Sequence, residues 1–190
     1  MSKYLKLSIA AVVITAIGVV LAFQAVNYWT HRFDELILRH AQVYRVEPKL
    51  VWSIIYEETY FRTTVTGDAG EIGLMQVTPA VAKEWATATG LKEFEKSTTK
   101  DLDNFLTDPE RNIQIGCWYL EKIGGRYRDY PAREAMTLAA YNAGSGRVED
   151  WLKDAVPESL SEREFIDRIG IASTKSYVSS ILARYRTTSK

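Results

Sequence analysis

Apolar residues are distributed differently in the first 28 residues and in the rest of the chain. The 22 residues from Leu5 to Val26 are predominantly apolar, and as a helix they would extend about 33 Å, enough to cross a bilayer. Lysines at the start of this run predict an N-terminus in the cytoplasm, and Tyr28 and Trp29 at its end are typical of the opposite membrane interface. We therefore predict a membrane anchor in residues 1–28.

A cleaved secretory signal is the alternative for the same segment, because Val20-Leu21-Ala22 offers a small-residue cleavage site. The length of the apolar run and its aromatic border favour a retained anchor. No cysteine lies near the end of the run, which excludes a lipoprotein. In either case residues 29–190 are predicted to form one exported globular domain, and about 160 residues suffice for a hydrophobic core.

Beyond the membrane segment, most apolar residues recur at helical spacing, and signals for strands are poor. Residues 91–107 are predicted to be polar and irregular, and a short β-ribbon is expected within 63–77. Ser161 and Glu164 resemble a capping box. The fold class predicted from this pattern is mainly α. The predicted helices are 33–44, 48–61, 79–89, 109–123, 131–143 and 174–186.

Glu58 lies near the centre of the apolar arc of the helix predicted for 48–61, three and four positions after Ile55 and Ile54. A carboxyl group in apolar surroundings has a raised pKa and can hold a transferable proton near neutral pH. Glu57 falls at the edge of the arc, beside Ser53. The alternative, that the head group of Glu58 reaches solvent at the helix end, stays open from this helix alone.

Three further motifs follow in the chain. Glycines 67, 70 and 73 make the stretch after the helix rich in turns, so it could fold over the helix end and wall a cleft. This stretch leads into Gly73-Leu74-Met75-Gln76. Ala140-Tyr141-Asn142-Ala143-Gly144 ends a later helix at a glycine, and Thr174-Lys175-Ser176-Tyr177-Val178 lies near the C-terminus.

Together with Glu58-Thr59, these motifs resemble the catalytic domain of the soluble-type lytic transglycosylases, lysozyme-like enzymes that cleave the glycan strands of bacterial peptidoglycan. The resemblance covers roughly residues 30–186 and implies a lysozyme-like α+β fold. Two departures from the family pattern stand out. Thr59 replaces a serine, and Ser173-Thr174-Lys175 replaces Glu-Thr-Arg, which leaves contacts to glycan and peptide near that segment in doubt.

The resemblance also implies a role for each matching residue. Glu58 would act as acid and then as base on the β-1,4 bond between N-acetylmuramic acid and N-acetylglucosamine, leaving a 1,6-anhydromuramoyl end. Without the resemblance, Met75 and the aromatic residues would be interpreted as core, and the Thr59 hydroxyl could equally bond to backbone. The implied substrate-binding residues are Thr59, Met75, Gln76, Tyr141, Asn142 and Tyr177.

Two other functions remain open. A goose-type lysozyme-like hydrolase would need a second carboxylate to activate water, and Asp68 or Glu71 could supply it, although solvated turn residues are the favoured interpretation. Glu57 is a poorer candidate because adjacent helical residues do not face each other. The second alternative is a wall-remodelling assembly factor of a secretion, pilus or conjugation apparatus, with an envelope partner.

The amino-acid composition limits the classes of partner and cofactor that this protein is expected to bind. Lys+Arg and Asp+Glu both number 24, so no net charge favours binding to nucleic acid. One cysteine and two histidines predict neither an internal disulfide nor a metal cluster, and no cofactor is expected. The expected partners are peptidoglycan glycan strands and a membrane contacted by residues 5–26. The predicted location is the inner membrane, single-pass with the domain in the periplasm, or the periplasm after signal cleavage.

Overall fold

The computed structural model describes residues 2–91 and 99–187 and divides the chain into two compact units, Met1–Asp34 and Glu35–Lys190. In the first unit, helix α1 (Lys3–His31) exposes most of its large apolar side chains. Among the described residues, the segment containing α1 is the one candidate membrane span by length and composition, and an 18-residue window within it has a mean hydropathy of 2.5. A retained anchor, a cleaved signal and the boundary after residue 28 stay predictions.

The second unit is built from helices, which confirms the mainly α prediction. In the part of the chain that the structure describes, no extended strand forms, and the expected ribbon is reduced to isolated antiparallel bridges of Ile72 with Thr66 and with Val77. Short 3₁₀ turns occupy Gly125–Tyr127 and Pro157–Ser159. The helices are α2 (Asp34–Tyr44), α3 (Pro48–Thr59), α4 (Pro79–Thr89), α5 (Thr99–Leu106), α6 (Pro109–Gly124), α7 (Arg133–Ala143), α8 (Ser145–Leu152), α9 (Glu162–Arg168) and α10 (Ala172–Thr187).

Local sequence signals set many of the helix ends. The side chains of Thr78 and Asp108 accept hydrogen bonds from backbone N–H groups in the first turns of α4 and α6. Ser161 and Glu164 form the predicted capping box of α9. Gly90 ends α4 with a φ of 76°, a left-handed conformation that glycine adopts without steric cost.

The core of this unit surrounds α7, which packs against α6, α8, α9 and α10, while α10 also packs on α3. Ala135, Met136, Leu138 and Ala139 of α7 are fully buried. This arrangement brings the C-terminal ends of α3 and α7 and the middle of α10 together. These are the three elements on which the sequence places Glu58, Tyr141 and Tyr177.

Two sequence predictions about local structure were wrong. Helix α3 ends at Thr59 rather than at Phe61, because Tyr60 and Phe61 adopt left-handed backbone with φ of 50° and 61°; the turn still buries Phe61 completely.

Residues 99–106, predicted to be irregular, form α5. Leu102 and Leu106 lie four positions apart on this helix and are buried where α5 packs on α4 and α6. The sequence around these two leucines is polar, so it gave no clear helical pattern. Residues 92–98 of the same prediction lie outside the described residues.

Candidate active site

Glu58 lies in the last turn of α3 and is partly buried, as its place in the apolar arc predicted. Its Oε1 accepts a hydrogen bond of 2.6 Å from the hydroxyl of Tyr177, which comes from α10, 119 positions later in the chain. Tyr177 is 8% exposed. A short bond to a carboxyl oxygen holds the Glu58 head group in one orientation.

Burial is the largest influence on Glu58 and raises the pKa of its carboxyl from 4.5 to about 7. The hydrogen bond from Tyr177 favours the charged form and opposes this rise, whereas the negative charges of Glu71 and Glu57 add to it. Burial also raises the pKa of Tyr177 well above 10, so its hydroxyl keeps its proton and remains a donor. At neutral pH, Glu58 can therefore both donate and accept a proton.

A loop after α3 forms the next part of the site, and side chains from α3 and α7 hold it in place. The hydroxyl of Thr59 donates to the carbonyl oxygen of Leu74 at 3.1 Å. The hydroxyl of Tyr141 donates to the carbonyl oxygen of Met75 at 2.6 Å. Burial raises the pKa of Tyr141 well above 10, so it too stays protonated.

Asn112 of α6 holds the same loop from a third side and is fully buried. Its Oδ1 accepts from the backbone N–H of Met75 at 2.7 Å, and its Nδ2 donates to the carbonyl oxygens of Ile72 and Leu106 at 2.7 and 2.8 Å. A Cβ at Gly73, where φ is 76°, would collide with the Asn112 amide. The glycine therefore allows the loop to approach α6 closely enough for these bonds.

Gln76 ends this loop in a left-handed conformation with φ of 47°. Its Nε2 donates to the carbonyl oxygens of Gly73 and Val65 at 2.9 and 3.2 Å. Its Oε1 would lie 2.8 Å from a Cβ placed on Gly67, so the lack of a side chain there makes room for the amide. These contacts hold the Gln76 side chain at the wall of the cleft.

A cleft of about 450 Å³ opens beside Glu58, between this loop and the ends of α3 and α7. Three carboxyl groups line it, and among its described lining residues none is a lysine or arginine. Within residues 2–91 and 99–187, no group of three or more His, Cys, Asp and Glu side chains could hold a metal ion. The lining residues are Glu58, Gly67, Asp68, Ala69, Glu71, Gln76, Val77, Thr78, Val81, Tyr119, Tyr141 and Asn142.

The residues predicted for the site lie close together but in different positions relative to the cleft. Glu58 lines it together with Gln76, Tyr141 and Asn142, whereas Tyr177 reaches Glu58 from α10. Asn142 is oriented by the hydroxyl of Thr174, which donates to its Oδ1 at 2.7 Å.

Thr59 and Met75 lie behind the cleft wall, 1% and 0% exposed. Met75 packs against Gly116 of α6, where a Cβ would collide with its sulfur. The loop conformation thus depends on both residues, and their contact with substrate stays a prediction.

Glu57 and Glu58 are adjacent in sequence but bind different partners. Glu57 Oε2 accepts a hydrogen bond of 3.0 Å from Nη1 of Arg184 on α10, whereas Glu58 is bonded to Tyr177. Adjacent helical positions point in directions about 100° apart, which accounts for this division.

Sequence reasoning did not assign Asn112, Tyr119 and Arg184 to the site. Asn112 carried a usable signal, because it is a polar residue one helical turn before Gly116 on the apolar face of α6. Tyr119-Leu120 agrees with the family pattern without indicating a role for Tyr119, and Arg184 resembled a basic residue in the last turns of a helix. Neither had a local pattern that pointed to Glu58.

A mainly α-helical domain with a partly buried glutamate that lines an open cleft is typical of the lysozyme-like class. The comparison with family models makes this more specific: the chain belongs to the transglycosylase SLT domain family, whose model matches residues 35–162. The resemblance inferred from the four motifs is thereby confirmed.

The names of similar proteins are consistent with this family assignment. The chain is 27% identical over 151 residues to the soluble lytic murein transglycosylase of Escherichia coli K12, covering 80% of this chain and 22% of the relative. It is 30% identical over 139 residues to the membrane-bound lytic murein transglycosylase F of Hahella chejuensis, covering 72% and 24%. The chain thus spans about a quarter of the length of these relatives.

Solved structures match over a similar region. The lytic transglycosylase Slt of Pseudomonas aeruginosa, solved as an inactive mutant, matches with a TM-score of 0.70 and 27% identity, covering 83% of this chain and 24% of that one. The 70 kDa soluble lytic transglycosylase of Escherichia coli matches with a TM-score of 0.69 and 27% identity, covering 82% and 24%. The expected lysozyme-like fold is confirmed.

Proposed function

We propose that this protein is a lytic transglycosylase that cleaves the β-1,4 bond between N-acetylmuramic acid and N-acetylglucosamine in peptidoglycan, with Glu58 as its single acid and base. The observation that carries the proposal is the Glu58 carboxyl itself, which has a pKa of about 7, accepts a hydrogen bond from Tyr177 and lines an open cleft. A group that titrates near the working pH is suited to proton transfer in both directions.

The reaction needs two proton transfers through Glu58. Protonated Glu58 gives its proton to the glycosidic oxygen as the bond from that oxygen to C1 of the muramic residue breaks, and the oxygen leaves as the C4 hydroxyl of the glucosamine. The Glu58 carboxylate then takes the proton of the C6 hydroxyl as that oxygen attacks C1. The products are a glucosamine end and a 1,6-anhydromuramoyl end. No water is consumed, and Glu58 is protonated again.

Two findings from relatives support this proposal. The relatives described above are named lytic murein transglycosylases. The Pseudomonas aeruginosa structure is that of an inactive mutant in which a glutamine replaces a glutamate, which indicates that a carboxyl group is indispensable in that relative. Among the residues that the structure describes, Glu58 is the carboxyl best placed for such a role.

The neighbouring residues have supporting roles in this proposal. Tyr141 and Asn142 border the cleavage point, and Gln76 contacts an N-acetyl group or a sugar hydroxyl from the opposite wall. Tyr177 orients Glu58 and stabilises its charged form between the two proton transfers. Thr59 and Met75 act through the loop that they hold.

A hydrolase of goose-lysozyme type is the second candidate, because Asp68 and Glu71 line the same cleft as Glu58. Either could activate a water molecule if its carboxylate faced the sugar opposite Glu58. Glu71 already uses Oε2 to accept a hydrogen bond from the backbone N–H of Ala69 at 3.0 Å, which makes it a better support for the loop than a base. The single-carboxylate reaction is therefore preferred.

Product analysis separates the two reactions. The full chain in detergent micelles is incubated with purified peptidoglycan, and the released muropeptides are identified by mass spectrometry. Anhydromuramoyl ends support the transglycosylase, whereas reducing ends would favour the hydrolase. Asp68→Asn and Glu71→Gln serve as matched variants: both should still form anhydro products, and loss of cleavage in either would contradict a single-carboxylate mechanism.

We also propose that α1 anchors the protein in the inner membrane with the C-terminal unit in the periplasm. Support comes from its exposed apolar surface, its hydropathy and the lysines near its start. A reporter enzyme fused after Lys190 should be active only outside the cytoplasm. Recovery of a mature chain that begins near Phe23 would instead favour a cleaved signal.

A further inference from the structure

Helix α10 contacts both adjacent carboxyl groups of α3 through two residues on one face. Tyr177 and Arg184 are seven positions apart, two helical turns or about 10 Å along the axis. The hydroxyl of Tyr177 donates to Glu58 at 2.6 Å, and the guanidinium group of Arg184 donates to Glu57 at 3.0 Å. The two helices are therefore joined by polar contacts at two separate points.

Arg184 is held more firmly than a typical surface arginine. Besides Glu57, its Nη1 reaches the carbonyl oxygen of Ser53 at 3.4 Å, and its guanidinium carbon lies 4.1 Å from the ring centre of Tyr56. The side chains of the Arg184–Glu57 pair are only 24% and 26% exposed. Partial burial reduces solvent screening, and the planar guanidinium group can stack and donate hydrogen bonds at the same time.

We propose that Arg184 is a positioning residue: by binding Glu57 it holds α10 against α3 in the register that keeps the Tyr177 hydroxyl on Glu58. Tyr177 is the direct partner, and a small shift of α10 would lengthen its 2.6 Å bond. Misplacing a catalytic group by about 1 Å can cost about a hundredfold in rate. The catalytic consequence rests on the proposed function.

Glu57 also acts on Glu58 through its charge. Glu57 as an anion raises the pKa of Glu58, and the cation of Arg184 lies directly beside that anion. Removing the cation and removing the anion should therefore move the pKa of Glu58 in opposite directions. Among the described residues, the titratable groups that influence Glu58 or line the cleft with it are Tyr177 from α10, Tyr141 from α7, Tyr119 from α6, Asp68 and Glu71 from the loop, and Glu57 from α3.

The test compares Arg184→Gln, Arg184→Lys, Glu57→Gln and the double variant with the wild type, all as full chains in detergent micelles. Arg186→Gln is the matched control: it also removes an arginine ion pair from α10, but the partner is Glu162 on α9 and the arginine is 61% exposed. Cleavage of peptidoglycan is followed against pH, with kcat and KM separated. The pKa of Glu58 is measured independently by NMR of ¹³C-carboxyl-labelled glutamate, with Glu58→Gln identifying the signal.

We expect Arg184→Gln to lower kcat about tenfold with little change in KM. Its alkaline activity limb and the pKa of Glu58 should move to higher pH, whereas both should move to lower pH in Glu57→Gln. The double variant should return the pKa towards the wild-type value while kcat stays low. Arg184→Lys should restore part of kcat, and Arg186→Gln should behave as the wild type.

Two results would contradict a positioning role for Arg184. One is a shift of the Glu58 pKa in the same direction in Arg184→Gln and Glu57→Gln. The other is an unchanged pKa of Glu58 together with an unchanged kcat in these variants. If Arg184→Gln fails to fold, Arg184→Lys and Glu57→Gln still decide the question. A wild type that forms no anhydro product would contradict the proposed function instead. The NMR titration needs no turnover, so it would still test the link between Arg184 and Glu58.

Discussion

Replacing Glu58 by glutamine should abolish cleavage and stabilise the protein only at high pH. Glutamine keeps the shape of the side chain and an oxygen that can accept the bond from Tyr177, but it has no transferable proton. General acid–base catalysis is typically worth about 10² to 10⁴ in rate, and a loss of at least that size is expected. The fold should be retained, because the hydrogen bond and the packing of α3 are preserved.

The effect on stability follows from the raised pKa of Glu58. Below pH 4.5, both folded and unfolded chains hold the proton, so ionisation of Glu58 does not affect stability. Between 4.5 and about 7, the unfolded chain loses the proton more readily, so the free energy of unfolding falls as pH rises. At about 1.4 kcal/mol for each pH unit, this lowers wild-type stability by about 3 to 3.5 kcal/mol above pH 7.

In Glu58→Gln the free energy of unfolding does not fall with pH for this reason. The difference in free energy of unfolding between the variant and the wild type should therefore be up to about 3 kcal/mol larger at pH 8 than at pH 4. For a chain of this size that corresponds to about 6 to 12 °C in Tm. Thermal unfolding of the full chain in micelles, followed by circular dichroism at both pH values, measures the difference. Glu57→Gln is the control and should keep most of the wild-type pH dependence. An equal gap in Tm at both pH values would refute the raised pKa of Glu58.

Other residues of the site give three further predictions. Tyr177→Phe removes a bond to the charged form of Glu58, so its pKa should rise further and the alkaline activity limb should move to higher pH; an unchanged limb would contradict this. Asn112→Ala should cost about 3 kcal/mol, measured by thermal unfolding, because three hydrogen bonds to buried backbone groups are lost. Both Gly73→Ala and Gly70→Ala place a side chain at positive φ, but only the first collides with neighbouring atoms. Gly70→Ala should therefore lower Tm by about 2 to 8 °C, whereas Gly73→Ala should lower it more and reduce cleavage.

Much of this protein could be predicted from local sequence patterns, because those patterns act over a few residues. The apolar run of α1, the caps at Thr78 and Asp108 and the capping box at Ser161 each depend on neighbours within four positions. The helical phase of Glu58 is also local, and it was sufficient to separate this carboxyl from Glu57. The four motifs then indicated the family.

Only the tertiary structure decided what these residues contact. The sequence could not indicate that Tyr177 would bond to a carboxyl 119 positions away, that Arg184 would pair with Glu57, or that Asn112 would hold the loop after α3. Helix α5 was missed for the same reason, since its Leu102 and Leu106 are buried by helices that precede and follow it. Periodicity shows which face of an element is apolar, but the partner of that face and the burial that raises the pKa of Glu58 depend on how distant helices pack.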